Sequence, residues 1–341
     1  MKRFCPLLLT ACLLGISKAG FCQEDFFVAL SSVKARPLAM GGAFTSIRDD
    51  LSAMDYNPAA FDLYQSEKIF RLTVFFNPVA PVVVAKDHRR LSVSSRSNWT
   101  DAFISLGSLV KAVTFSMNSF TAGFLFAEQS LGTTLTRKDR RVLSADGFLD
   151  HHSNSAVVNL RLAERVSIAL ATSLYYQTEG QKRQWGLGSS YGVLLKTARK
   201  VRVGVAYIDL PKKMPDYRAT GERILDETVN FGVSYEPDTR TLLSADIRNL
   251  TEEERRITRE VHLGAERVLF SQVALRVGYY RKKIDRKNVF SCGLGLMDGN
   301  HWVEQGNQFG HPNFCFNYAF VYDSGPDGPQ RWHFASLIIR M

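Results

Sequence analysis

From Ile69 to the C-terminus the chain repeats one pattern, runs of roughly nine to eleven residues in which apolar and polar side chains alternate. In Arg259 to Arg267, Val261, Leu263 and Ala265 share one side, and His262, Gly264 and Glu266 the other. In Gln272 to Arg281, Val273, Leu275, Val277 and Tyr279 oppose Ala274, Arg276 and Gly278. A period of two demands β-strands, and strands of this length cross a bilayer when tilted. No later segment reaches roughly 18 apolar residues, so the chain carries no helical membrane span after its first residues. Hydrophobic residues make up 45% and charged residues 22%, which excludes both a disordered chain and a bundle of membrane helices.

The spacing predicts about fourteen strands. The first runs from Ile69 to Asn77. Leu109 to Met117 and Phe120 to Gln129 form a hairpin around Asn118-Ser119, and Asn154 to Leu162 turns into Arg165 to Gln177. After a polar stretch, Thr178 to Gln184, come the pairs Trp185–Lys196 with Val201–Asp209, Thr228–Glu236 with Thr241–Asn249, and Arg259–Arg267 with Gln272–Arg281. Asn288 to Met297, Asn313 to Asp323 and Arg331 to Met341 complete the set. Short turns alternate with longer polar loops, as in an outer-membrane barrel. One connection departs from this: Asp298 to Pro312 falls where a tight turn belongs. A soluble β-sandwich would alternate too, with its apolar face inward. Strand length and the N-terminus favour the barrel. Lys2 and Arg3 precede an apolar run, Leu7 to Ile16, that is too short to span, which reads as a secretory signal peptide over residues 1–22. Removing Lys2, Arg3 and Lys18 lowers the net charge from +10 to +7, a mild, spread-out excess that suits an anionic surface and points to no nucleic-acid partner. Cys5, Cys12 and Cys22 fall within the signal, which leaves Cys292 and Cys315 on opposite faces of their strands and so unsuited to a disulfide.

Ahead of the strands lies a segment of another kind, ARPLAMGGAFTSIRDDLSAMDYNPAAF, from Ala35 to Phe61. Its first part is small and apolar, and Gly41-Gly42 allows close backbone approach. Asp49 and Asp50 can cap a short helix from Leu51 to Asp55, and Asn57-Pro58 ends it because the residue before proline is driven out of the helical region. Pro58 can then open a second turn.

This segment resembles the opening signature of FadL-like outer-membrane proteins, especially the PorV/PorQ-type branch. The likeness is carried by Ala35-Arg36, Met40-Gly41-Gly42-Ala43, Asp49-Asp50 and Asn57-Pro58-Ala59, and TLLSADIRNL, VHLGAERVLFSQVALRVGYYR and FSCGLGL resemble the family's late strands. The chain departs from the family in its long 298–312 connection and in ending on Met341 where an aromatic residue is usual. The resemblance implies an all-β, transmembrane antiparallel barrel whose N-terminal segment folds into the lumen as a hatch. The expected organisation is a signal peptide over 1–22, a hatch over 23–65 and a barrel over 66–341. Two roles are implied: passage of hydrophobic small molecules, or a non-permeating scaffold that handles secreted proteins. Outer-membrane lipids are partners in either case.

The expected hatch residues are Gly41, Gly42, Asp49, Asp50, Asn57 and Pro58. By alternation the lumen charges are Arg202, Asp246, Arg248, Glu266 and Arg276, with Glu266 and Arg276 as diagonal neighbours across a hairpin. Arg48, Asp49 and Asp50 either contact those charges or cap the Leu51 helix. Gly188-Ser189-Ser190-Tyr191-Gly192 matches a hydrolase elbow in letters, but it lies within an alternating strand, whereas a nucleophilic serine needs a strand–turn–helix setting. No catalytic residue, cofactor or metal set is therefore expected; His151, His152, His301 and His311 have no metal-ligand spacing.

Overall fold

The computed structural model describes residues 26–29, 33–48, 51–61, 70–82, 109–129, 151–179, 182–211, 227–251, 259–270, 272–282, 287–297, 313–325 and 328–341. Fourteen antiparallel strands form a closed wall: β2 (Phe70–Phe76), β3 (Val110–Met117), β4 (Phe120–Gln129), β5 (His151–Ala163), β6 (Val166–Glu179), β7 (Lys182–Ala198), β8 (Val201–Asp209), β9 (Glu227–Asp238), β10 (Thr241–Arg248), β11 (Glu260–Leu269), β12 (Val273–Lys282), β13 (Lys287–Met297), β14 (Asn313–Gly325) and β15 (Gly328–Arg340). Each pairs with its neighbour in sequence. β15 closes on β2 through Ile339 opposite Phe76 and Arg340 opposite Phe75. Val74 and Met341 then exchange both backbone hydrogen bonds at 2.9 Å. A four-residue strand, β1 (Phe26–Ala29), adds in parallel to β15 beside Arg331–Phe334. β14 occupies the whole of one edge of β15, so β1 and β2 share the other.

The wall is turned inside out relative to a soluble sandwich. On β10, Leu242, Ser244, Asp246 and Arg248 are buried, whereas Leu243 and Ile247 are exposed. On β11, Glu260, His262 and Glu266 are buried and Val261 and Leu263 exposed. Around the circumference Phe124, Leu170, Leu187, Val205, Leu275, Val277, Phe290 and Phe314 add to this outer apolar surface. Water does not tolerate such a surface, but lipid does, and closing β15 on β2 pairs the first and last strands of the wall. These features define a fourteen-stranded antiparallel transmembrane β-barrel.

Two expectations change. The polar stretch Thr178–Gln184 is not a loop, because β6 runs to Glu179 and β7 starts at Lys182, with Thr178 opposite Arg183 and Glu179 opposite Lys182. Polar side chains do not end a strand whose ladder continues. Glu266 and Arg276 are directly opposed, not diagonal. Residues 1–22, Asp49, Asp50 and the 298–312 connection lie outside the described residues.

Candidate functional site

Residues 33–48 and 51–61 lie against the inner face of the wall and are buried almost throughout. A five-residue helix, α1 (Ala35–Ala39), ends at Met40 and is followed by Gly41 and Gly42 with φ of 62° and 72°. These left-handed residues reverse the chain; the Gly42 N–H returns to the Pro37 carbonyl at 2.9 Å. The expected short helix over Leu51–Asp55 is of the 3-10 kind, and a second 3-10 turn spans Pro58–Ala60. Asn57 fixes this second turn. Its Oδ1 accepts from the Ala59 N–H at 3.0 Å, and its Nδ2 donates to the carbonyls of Thr45 at 2.8 Å and Val193 at 3.2 Å.

The wall makes room by presenting glycine. Gly204 lies opposite Gly232, and Gly264 opposite Gly278, all on the inner face. A Cβ at Gly204 would stand 2.2 Å from the Thr45 carbonyl oxygen, and one at Gly278 would stand 2.0 Å from the Gly41 nitrogen. Gly192 meets Asn57 in the same way, Gly293 meets Ala39, and Gly264 meets the Met40 carbonyl. A belt of missing side chains on β7, β8, β9, β11, β12 and β13 thus seats residues 39–45 and 57–59.

Polar side chains of the same wall hold the segment. Asp246 accepts from the Phe44 and Thr45 N–H groups, both at 2.8 Å. Ser291 accepts from the Gly41 N–H at 3.0 Å and donates to the Ala39 carbonyl at 3.1 Å. His262 Nδ1 stands 2.6 Å from the Gly41 carbonyl, which only accepts, so the ring's proton sits on Nδ1. That ring stacks on Tyr280 at 4.3 Å between centroids. Glu266 takes a two-pronged contact from Arg36 at 2.8 and 3.0 Å and a third bond from Arg276 at 2.5 Å; Arg276 also donates to Asn317 at 2.7 Å. All three charged groups are buried. Arg248 lies over the Tyr56 ring at 4.8 Å. Ser234 donates to the Ser46 carbonyl at 3.1 Å, and Asn159 donates to the carbonyls of Ala59 and Phe61.

The start of the segment meets β3 and β4 differently. Glu128 accepts the Val33 N–H at 3.1 and 3.2 Å and pairs with Lys111 at 2.8 Å, while Lys34 pairs with Asp55 at 2.8 Å. Burial works against the Lys34 ammonium, but the Asp55 and Glu128 carboxylates outweigh it and hold its pKa above the ordinary lysine value, so it stays charged. Apolar contacts fill the remainder: Leu51, Met54, Ala59 and Phe61 against Phe75, Leu125 and Leu194, and Leu38 and Ala39 against Val289, Ala319 and Phe334.

Of the residues singled out in the sequence, Gly41, Gly42, Asn57 and Pro58 come together with Asp246, Arg248, Glu266 and Arg276 at this interface. Arg202 is buried on the inner face but pairs with Glu236 of the wall itself. The sequence reading missed Lys34, Arg36, Lys111, Glu128, Asn159, His262 and Ser291 as holding residues. An inward glycine recurring on strand after strand is the signal that could have located the belt. Ser190 lies mid-strand on β7 and Cys292 is free and exposed, as is expected for a strand residue and an outward thiol. Among the described residues no group of His, Cys, Asp and Glu could hold a metal ion.

No protein-family model matches the chain, and no curated protein matches its sequence. Among the solved structures similar in shape are the three that follow. The Ralstonia pickettii toluene transporter TbuX is 13% identical, with 92% of this chain and 98% of that one covered and a TM-score of 0.46. The CymD monoaromatic hydrocarbon channel is 12% identical, with 92% and 97% covered and a TM-score of 0.48. A Rhodopseudomonas blastica porin mutant is 12% identical, with 68% and 77% covered and a TM-score of 0.31. Likeness this distant says nothing of what crosses the barrel.

Proposed function

We propose that this protein is an outer-membrane, FadL-like transport barrel that admits hydrophobic small molecules through a lumen gated by its own N-terminal segment, and that it is not an enzyme. In this reading residues 1–22 are the export signal, 23–65 the hatch and 66–341 the barrel. One observation carries it: past the four-residue β1, residues 33–48 and 51–61 occupy the inner face of the wall by side-chain bonds and glycine seats, not by joining the ladder. A segment held that way can leave while the antiparallel wall stays whole, which is what a gate needs.

The wall offers a place for an apolar route. β2 has seven residues and meets β15 over two register pairs, and the upper edge of β15 carries the four-residue β1 in its place. Short parallel pairing is the weaker kind of ladder. The PorV/PorQ-type branch and a secreted-protein partner rest on the sequence resemblance alone. The test is uptake of a labelled long-chain fatty acid and of a labelled aromatic hydrocarbon into liposomes carrying the purified protein. Saturable uptake of either supports transport; rates equal to those of protein-free liposomes for both overturn it.

A further inference from the structure

Two β-bulges on neighbouring strands aim opposite charges at one spot. On β3 the register slips between its partners Phe75 and Phe76, so that consecutive residues Lys111 and Ala112 are both buried inside. On β4 it slips between Leu125 and Glu128, so that these two, three positions apart, both point inward. The second bulge needs Ala127 at φ 48°, a left-handed conformation that a residue with a Cβ adopts at a cost. Without the slip, strict alternation would turn Glu128 out to lipid. The bulges lock together, since Lys111 Nζ donates to the Ala127 carbonyl at 3.0 Å and pairs with Glu128 at 2.8 Å. Glu128 then takes the first described N–H of the inner segment, that of Val33, and Lys34 beside it is tied to Asp55. Bulges re-aim side chains where a sheet does something besides enclose.

Resting on the transport reading above, we infer that the Lys111–Glu128 pair is the latch of the hatch. The gate opens from the Val33–Lys34 end, while residues 39–45 stay seated on the glycine belt. The geometry separates the two ends. At Met40–Thr45 the main chain touches wall backbone, and Asp246, Ser291 and His262 hold it through consecutive backbone groups. At Val33 one carboxylate takes the backbone N–H, the side chain packs in the apolar cluster with Phe75 and Leu125, and the four-residue β1 ties the chain upstream to β15, beside the part of the wall where β2 ends at Phe76 and β3 begins at Val110. Loss of that carboxylate's charge leaves Lys111 buried beside Lys34 without its nearest counter-ion, and the Val33–Lys34 stretch, between β1 and the glycine belt, is the part that shifts.

The experiment uses the mature protein in proteoliposomes, with Cys292 and Cys315 replaced by serine. A reporter cysteine is placed at Val33→Cys or at Met40→Cys, and a membrane-impermeant maleimide reads its exposure. Glu128→Gln keeps an oxygen for the Val33 N–H and removes only the charge. Expected is at least a tenfold faster reaction at position 33 with position 40 unchanged. Adding Lys111→Met, which removes the stranded charge, should return position 33 towards its original rate. Unchanged labelling at 33, an equal rise at 33 and 40, or no reversal by Lys111→Met would each overturn the latch. Heat-modifiable migration on gels confirms that every variant retains its barrel. Fatty-acid uptake in the same vesicles is the separate readout. Faster labelling without faster uptake overturns transport and leaves the latch standing.

Discussion

The β8–β13 side of the wall and the β2–β4 side solve one problem, holding a chain against a barrel interior, in opposite ways. On β8–β13 the strands keep register where they meet the guest, the one slip between Thr241 and Leu243 lying beside the β9–β10 turn, side chains are deleted to glycine, and the guest's own backbone fits the vacated space. On β2–β4 the register breaks twice so that long charged side chains can reach the guest. The first arrangement adds close fit to its many bonds: nothing larger fits and nothing can shift far. The second fixes it through attraction between few atoms, which one change of charge can cancel. Close-packed contact suits an anchor, and a buried ion pair suits a release point, because removing one partner costs far more than the pair contributes.

The contrast can be broken or sharpened by substitution. The largest effect is expected at Glu266, the acceptor shared by Arg36 and Arg276. Glu266→Gln strands two buried guanidinium groups and should cost about 3–5 kcal/mol, read as a lowered thermal unfolding midpoint in detergent. Gly204→Leu comes next. Its side chain meets the Thr45 carbonyl, which cannot yield as a flexible side chain would, and overpacking of this kind costs about 1–3 kcal/mol. It should appear as protease cleavage within 33–61 while the barrel stays heat-modifiable. Asp246→Asn keeps one acceptor for the Phe44 and Thr45 N–H groups but loses the charge that strengthens both bonds. A loss of about 1–2 kcal/mol is expected, seen as faster hydrogen exchange at those two amides. The smallest effect is expected at Arg267, whose partner Asp238 is, like it, half exposed at a turn. Arg267→Ala should stay within about 0.5 kcal/mol by the same unfolding measurement. If Gly204→Leu proved as mild as Arg267→Ala, the anchor half of the comparison would fail.

Much of the wall was legible before any coordinates. Alternation in Arg259–Arg267 and Gln272–Arg281 gives the inner and outer faces, because in a strand the face of a side chain follows from parity alone. It gives Asp246, Glu266 and Arg276 as inner charges for the same reason. Parity also explains what was missed. Lys111 and Glu128 reach the interior only through bulges, and a bulge shifts parity by one without leaving a reliable mark in the sequence. Arg36 and Lys34 lie in a segment with no period, so nothing local says which partner each will find 21 or 230 positions away. The Thr178–Gln184 stretch was misread because polar composition resembles a loop, whereas backbone pairing is indifferent to side-chain polarity once the strand has left lipid.

The central claim, that residues 33–48 and 51–61 sit inside a wall whose apolar side faces out, has a direct test in cysteine pairs. Thr45 Cβ stands 2.9 Å from where a Cβ on Gly232 would be, and the next residue, Val233, points to the other face of β9. With the native cysteines replaced, Thr45→Cys with Gly232→Cys should oxidise to an intramolecular disulfide in the membrane, and Thr45→Cys with Val233→Cys should not. A disulfide in the second pair but not the first, or in neither, would contradict the arrangement.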